Sequence, residues 1–245
     1  MLQLFPERIT DVEPAEVVIS PWRAPVGSRP WVLTNMVTSL DGAATVEGRS
    51  GHLGGPDDRE VFLELRGVAD VVLVGAGTVR AERYGPVRLT AASKERRATE
   101  GRDDPPRLAV VSTSLDLDPE LPLFTGPRPL VLTSRRADPV RRAILDEVAD
   151  VIDVGAEQAE PAPMLDALRD LGASIVLCEG GPTLLGHFHE ADLIDEWCVT
   201  VGAVATSGIA PRIAVGSTQV ARPLRLDAVW ESDGVLFLRH RRHRS

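Results

Sequence analysis

The chain reads as an α/β protein, with a mainly parallel central sheet flanked by helices and antiparallel strands at its C-terminal edge. Three observations carry that reading. Short apolar, β-branched runs such as Val71-Val72-Leu73-Val74 and Ile175-Val176-Leu177-Cys178 lack polar alternation, as strands buried on both faces do. They alternate with helix-like segments over most of the 245 residues, and such alternation builds a parallel sheet covered on two sides. Near the end, Asp233-Gly234 joins two strand-like runs and signals a hairpin.

Residues 1–29 read as an N-terminal arm. Pro6, Pro14, Pro21 and Pro25 break any long element, leaving a short helix or turn docked through Leu4, Phe5 and Trp22. Residues 30–245 read as one domain. A first strand over 31–37 enters the turn Ser39-Leu40-Asp41-Gly42. Pro56-Asp57-Asp58-Arg59 then opens a helix, with Pro and acids in its first turn and an apolar stripe at Val61, Leu65 and Val68. A strand over 71–74 follows. Residues 91–106 are polar, charged and without period, the pattern of a surface loop.

Short strands are expected at 108–111 and 130–132, an amphipathic helix over 139–148 and a strand at 151–154. Residues 164–171 form a helix ended by Gly172. A helix over 183–189 precedes a strand at 196–201, and the hairpin strands occupy 224–230 and 235–240. The basic end, Arg239 to Arg244, reads as a last strand running into a solvated tail.

Apolar residues at 43% and charged residues at 26% are ordinary for a soluble globular chain. A formal net charge of −9 argues against nucleic-acid partners, which need a basic face. No apolar run nears the roughly 18–20 residues of a membrane span. Cys178 and Cys198 lie in strand-like runs and read as buried small hydrophobes, which with the absence of a signal-peptide pattern points to the cytoplasm. Trp31, Trp197 and Trp230 sit within strand-like runs and read as core or interface rather than as a stacking platform. His187 and His189 are two apart and do not share a helix face, so no metal site is expected.

The chemistry concentrates in two strand-to-helix corners. Val74-Gly75-Ala76-Gly77-Thr78 and Glu179-Gly180-Gly181-Pro182-Thr183 each place glycines where a helix begins, so that backbone N–H groups can approach an anion closely. Two such corners imply a phosphate-bearing cofactor held between strand ends. Gly75-x-Gly77-x-x-Arg80 lacks the third glycine of the dinucleotide fingerprint, and no acid stands clearly at the end of the next strand. An ordinary Rossmann dehydrogenase is therefore disfavoured.

Together, Ser39-Leu40-Asp41-Gly42, Val74-Gly75-Ala76-Gly77-Thr78 and Cys178-Glu179-Gly180-Gly181 resemble the reductase domain of riboflavin biosynthesis. That domain is the C-terminal half of the bifunctional diaminohydroxyphosphoribosylaminopyrimidine deaminase/5-amino-6-(5-phosphoribosylamino)uracil reductase. The resemblance covers roughly residues 30 to 240 and implies a dihydrofolate-reductase-like fold. It implies NADPH as cofactor and hydride transfer to a ribosylamine or imine. The zinc signature of the deaminase half, His-x-Glu followed by Pro-Cys-x-x-Cys, does not occur.

Carried over by position, Gly75, Ala76, Gly77 and Thr78 would bind cofactor phosphate. Gly180 and Gly181, with Pro182, Thr183 and Leu184, would cradle the pyrophosphate from the opposite side. Ser112, Thr113 and Ser114 resemble the hydroxyl cluster around the adenosine 2′-phosphate, and Arg135 would add charge there. Asn35, Ser50, His52, Arg59, Arg88 and Glu179 match positions lining the substrate pocket, with Arg59 and Arg88 suited to a substrate phosphate. Glu82 is the first candidate for the catalytic acid and Asp41 the second.

Three positions depart from the family pattern. Asn35 stands where a Lys is usual, Glu82 where an Asp is usual, and His52 where a Trp is common. All fall in the pocket while the cofactor corners are kept. The alternatives are thus a dihydrofolate- or other pterin-type reductase of the same fold, or a non-catalytic NADP(H)-binding protein. The resemblance further implies a homodimer, for which the apolar run 195–201 with Trp197 is a candidate contact surface.

Overall fold

The computed structural model describes residues 1–19, 22–102 and 104–243. The apolar runs become the strands of one ten-stranded sheet. In chain order these are β1 (Leu2–Phe5), β2 (Trp31–Thr38), β3 (Val71–Gly75), β4 (Arg107–Val111), β5 (Leu130–Thr133), β6 (Asp150–Asp153), β7 (Ile175–Cys178), β8 (Glu196–Val201), β9 (Leu224–Ser232) and β10 (Val235–Arg242). In space the order is β1-β9-β10-β8-β2-β7-β3-β4-β5-β6. Every pairing from β8 through to β6 is parallel, and β10, β9 and β1 add antiparallel strands on one side. Seven helices accompany them: α1 (Pro14–Ile19), α2 (Pro56–Val68), α3 (Ala76–Glu82), α4 (Ala91–Thr99), α5 (Pro139–Leu145), α6 (Pro161–Asp170) and α7 (Pro182–Glu190). This is the α/β architecture the sequence predicts.

The runs lack polar alternation because both faces of the sheet are covered. Successive residues point to opposite faces, so Val72 joins Leu33, Leu177 and the Val61–Leu65 stripe of α2, while Leu73 joins Val176, Leu165 and Phe188 on the other side. Each such side chain contributes about 1.5–3 kcal/mol by burial. The hairpin turn is as expected, with Asp233 and Gly234 at φ 49° and 80°.

The topology that matters most is the placement of β7. It inserts between β2 and β3, pairing in parallel with both, although it follows β3 by about a hundred residues. The two glycine corners therefore end on adjacent strands.

Four expectations need correction. Residues 91–106 are not all loop, since 91–99 form α4. Thr90 caps that helix through Ser93 N, and its inward face is polar: Ser93 and Arg96 bond Glu64 of α2, while Arg97 bonds the carbonyls of Gly67 and Ala69. A helix docked by hydrogen bonds carries no apolar period.

The arm docks otherwise than expected. Leu4, Phe5 and Trp22 are 46%, 40% and 83% exposed, and the contact is made by buried Val12, Val17 and Val18. Arg23 on Glu196 (2.7 Å) and Arg29 on Asp195 (2.6 Å) secure it, and β1 pairs with β9. The basic end is largely ordered: Arg239 is buried against Asp227 and Arg242 pairs with Asp192, while Arg244 lies outside the described residues. Finally, β8 is an interior strand between β10 and β2, and Trp197 is buried edge-on to His189. A strand flanked on both edges offers no free edge to a partner.

Candidate active site

Parallel strands end on one edge of the sheet, where α/β proteins gather their functional groups. At the ends of β3 and β7 the glycine corners touch. Gly75 N donates to Gly180 O at 2.8 Å. A Cβ on Gly181 would stand 2.5 Å from Thr78 Oγ1, and one on Gly75 would stand 3.4 Å from Gly181 N. The corners are thus side by side rather than opposed, and only glycine at 181 allows so close an approach. The helices they open, α3 and α7, have no side-chain cap. The N–H groups of Gly77, Thr78, Thr183 and Leu184 therefore lack intrahelical acceptors. A Cβ on Gly77 would meet no protein atom within 4 Å, so space lies open in front of them.

At the end of β4, Ser112 is buried and its N–H bonds Leu132 O; Thr113 and Ser114 are exposed. Arg80 of α3 bonds Asp116 O at 2.7 Å and Arg141 of α5 bonds Ser114 O at 3.2 Å, which brings two guanidinium groups to this loop. Arg135, after β5, is exposed. Arg80 and Arg141 carried no motif and were not legible in the sequence.

At the C-terminal end of α3, Ser50 and Glu82 come together. Glu82 Oε1 accepts from Ser50 N at 2.8 Å and from Ser50 Oγ at 3.0 Å. Its Oε2 has no partner among the described residues. His52, Arg59 and Arg88 are exposed, and neither arginine pairs with a described carboxylate. Asn35, half-buried on β2, has an amide without a described partner.

Two expected site residues are engaged elsewhere. Asp41 accepts from Ser39 Oγ at 2.5 Å, Thr206 N at 3.1 Å and Ser207 N at 2.7 Å. The Ser39 hydroxyl, then the two backbone donors, hold its carboxyl well below the usual range. It clamps the turn after β2 to the segment beyond β8 and is a poor proton donor. Glu179 is buried, with Arg66 Nε and Nη2 at 2.7 and 2.8 Å and Tyr84 Oη at 2.8 Å. The Arg66 guanidinium also stacks on Phe62 at 4.2 Å. Burial, with the Glu179 carboxylate beside it, pushes the Tyr84 hydroxyl well above its ordinary value and keeps it a donor. This trio joins α2, the exit of α3 and the glycine corner of β7.

The order and spacing of these parts have a counterpart among known proteins. A model of the family described as the RibD C-terminal domain matches residues 30–237. The chain belongs to that family. It is 29% identical over 182 residues to a 2,5-diamino-6-ribosylamino-4(3H)-pyrimidinone 5′-phosphate reductase of Archaeoglobus fulgidus, covering 74% of this chain and 83% of that protein. It is 29% identical over 208 residues to the riboflavin biosynthesis protein RibD of Mycobacterium tuberculosis, covering 84% of this chain and 51% of that one. Among solved structures, a pyrimidine reductase-like protein of Corynebacterium diphtheriae superposes with a TM-score of 0.85 at 28% identity, covering 96% of this chain and 100% of that one. The fold expected from the resemblance is the fold observed, and the reductases of this family share it.

Proposed function

We propose that the protein is an NADPH-dependent reductase of a phosphoribosylaminopyrimidine, turning its ribosylamine into a ribitylamine. The observation that carries this is the pair of uncapped glycine corners, bonded side by side, with the Ser50–Glu82 pair at the far end of α3, the helix that the first corner opens. The cofactor fits this chain's donors: Gly77, Thr78, Thr183 and Leu184 offer N–H groups to a pyrophosphate. Thr113, Ser114 and Arg135 suit a 2′-phosphate, which favours NADPH over NADH, while Arg80 and Arg141 hold the loop that carries Ser114. When bound, it supplies a hydride.

The chain's own residues manage the substrate. Arg59 and Arg88 are free to hold its phosphate. Opening the sugar breaks the C1′–O4′ bond, O4′ takes a proton from Glu82 Oε2, and the nitrogen lone pair closes a C=N bond. The carboxylate left on Glu82 then offsets the positive charge at that bond. Ser50 occupies the other oxygen, which leaves Oε2 as the one free to act. The reading takes residues 30–245 as one domain with residues 1–29 as its arm, acting in the cytoplasm as a homodimer. Exposed Ile209, Leu224 and Leu226 support association.

The test is NADPH oxidation with a phosphoribosylaminopyrimidine by wild type and Glu82→Gln. Wild type is expected to turn over, and the variant to lose about 10²–10⁴ in kcat. Unchanged kcat at every pH would remove Glu82 as the acid. Calorimetry showing that neither NADPH nor NADH binds would remove the function.

A further inference from the structure

Glu82 is the last residue of α3, a helix of seven residues that starts at the glycine corner of β3. At about 1.5 Å per residue the helix spans roughly 10 Å. Only Ala76 and Val79 of α3 are buried, so the core holds its first turn and leaves its exit to other contacts. Arg83, which ends the helix, stands at φ 52°, in the left-handed region that a residue with a Cβ adopts at a cost. Ser50 adds little rigidity to Glu82, because the turn that presents it carries glycine at 48, 51, 54 and 55.

Tyr84 supplies what the exit lacks. Its N–H bonds Val79 O at 3.1 Å, and its ring packs against the core cluster that holds Val61 and Leu65. Its hydroxyl donates to Glu179 Oε2 at 2.8 Å. Glu179 is itself fixed: its N–H bonds Leu73 O at 2.9 Å, and its carboxylate holds Arg66. The next residue, Gly180, accepts from Gly75 N at 2.8 Å. Gly75, α3, Tyr84, Glu179 and Gly180 thus form a closed ring with Glu82 inside it. Burial, then Glu179, push the Tyr84 hydroxyl up, and the Glu82 carboxylate adds to that push, which puts the acid within electrostatic reach of the same hydroxyl.

We propose that Tyr84 is a positioning residue: its hydroxyl, bonded to Glu179, closes this ring and fixes the Glu82 carboxyl where opening of the sugar needs a proton donor. This rests on the reductase reading above, in which Glu82 is the acid. Tyr84 acts through Glu82 and takes no part in proton transfer, because its one proton is committed to Glu179. An acid that swings away from its acceptor loses rate rather than affinity, so the defect belongs in kcat.

The experiment uses the full chain and Tyr84→Phe, which keeps the ring and leaves Glu179 both of its bonds from Arg66. The first readout needs no ligand. Amide hydrogen exchange at Ser50, whose N–H bonds Glu82 Oε1, should speed up at least about tenfold, while the amides of β3 and β7 keep their protection and show that the fold is intact. The second is NADPH oxidation with a phosphoribosylaminopyrimidine, where kcat should fall at least about tenfold and both KM values stay within about twofold. The decisive comparison repeats Tyr84→Phe in a Glu82→Gln background. No acid remains there to be positioned, so the added substitution should change kcat by less than about twofold. Unchanged exchange at Ser50, unchanged kcat in Tyr84→Phe, or an equal fall in both backgrounds overturns the proposal and leaves the reductase reading intact. Wild-type kcat in Glu82→Gln alone removes the acid and the proposal with it. A wild type that turns over no substrate overturns the reductase reading, and exchange at Ser50 still decides whether Tyr84 holds Glu82.

Discussion

Replacing Glu179 by Gln tests whether the buried trio holds the site together. The perturbation is small in shape and large in charge. The side chains of Arg66 and Glu179 are 10% and 1% exposed, so water does not reach the guanidinium once its counter-charge is gone. The amide nitrogen also takes the place of Oε1, facing Arg66 Nε, or of Oε2, facing both Arg66 Nη2 and Tyr84, so at least one of the three hydrogen bonds is broken. Losing one partner of a buried pair costs about 3–5 kcal/mol. At about 2–4 °C per kcal/mol for a chain of this size, that lowers Tm by roughly 6–20 °C.

The compensated variant Arg66→Met/Glu179→Leu/Tyr84→Phe leaves no polar orphan and should regain most of the loss, because an ion pair exchanged for packed apolar groups is close to neutral. Equilibrium urea unfolding and calorimetry read both variants. A Glu179→Gln protein within about 1 kcal/mol of wild type, or a triple variant no better than the single, would refute the account of Glu179 as a structural joint.

Two further outcomes follow from the site. Gly77→Ala places a methyl where no protein atom lies within 4 Å; it should raise helix stability by up to about 0.5–1 kcal/mol while raising the NADPH KM at least tenfold, and an unchanged KM would move the cofactor away from α3. Asp41→Asn should lower Tm most above about pH 5, where the clamped carboxylate is ionised in both the folded and unfolded chains. Because the folded-state pKa is depressed, that difference should shrink as pH falls below about 4 and the contribution of Asp41 is lost. A difference constant from pH 7 to pH 3 would show that the carboxylate charge does not matter.

What was legible in the sequence was what neighbouring residues decide. The unbroken apolar runs gave β3 and β7, and the glycines after them gave corners that the structure places together. Helix α4 was not legible, because it docks by Ser93 and Arg97 onto the buried Glu64 and backbone carbonyls of α2, and a search for apolar periodicity is blind to that. The roles of single carboxylates were the least legible. Glu179 finds Arg66 and Tyr84 at separations of 113 and 95 residues, and Asp41 finds Thr206 and Ser207 at 165 and 166.

The same distance effect governs what the net charge says about ligands. An overall charge of −9 disfavours a polyanion, which sees the whole surface, but a single phosphate responds to the few guanidinium groups within a Debye length of about 8–10 Å. Most arginines here are committed to carboxylates or backbone carbonyls. Among the described residues those whose guanidinium groups have no such partner include Arg49, Arg59, Arg83, Arg88, Arg135 and Arg212. Each lies on a segment that follows the C-terminal end of β2, β3, β5 or β8. Arg8, in the arm, follows β1. A guanidinium already paired gains little from an added anion, whereas an unpaired one gains a charge-assisted bond. On the proposed function, the distribution of pairing, rather than the charge total, leaves Arg59, Arg88 and Arg135 as guanidinium groups able to gain from a phosphate.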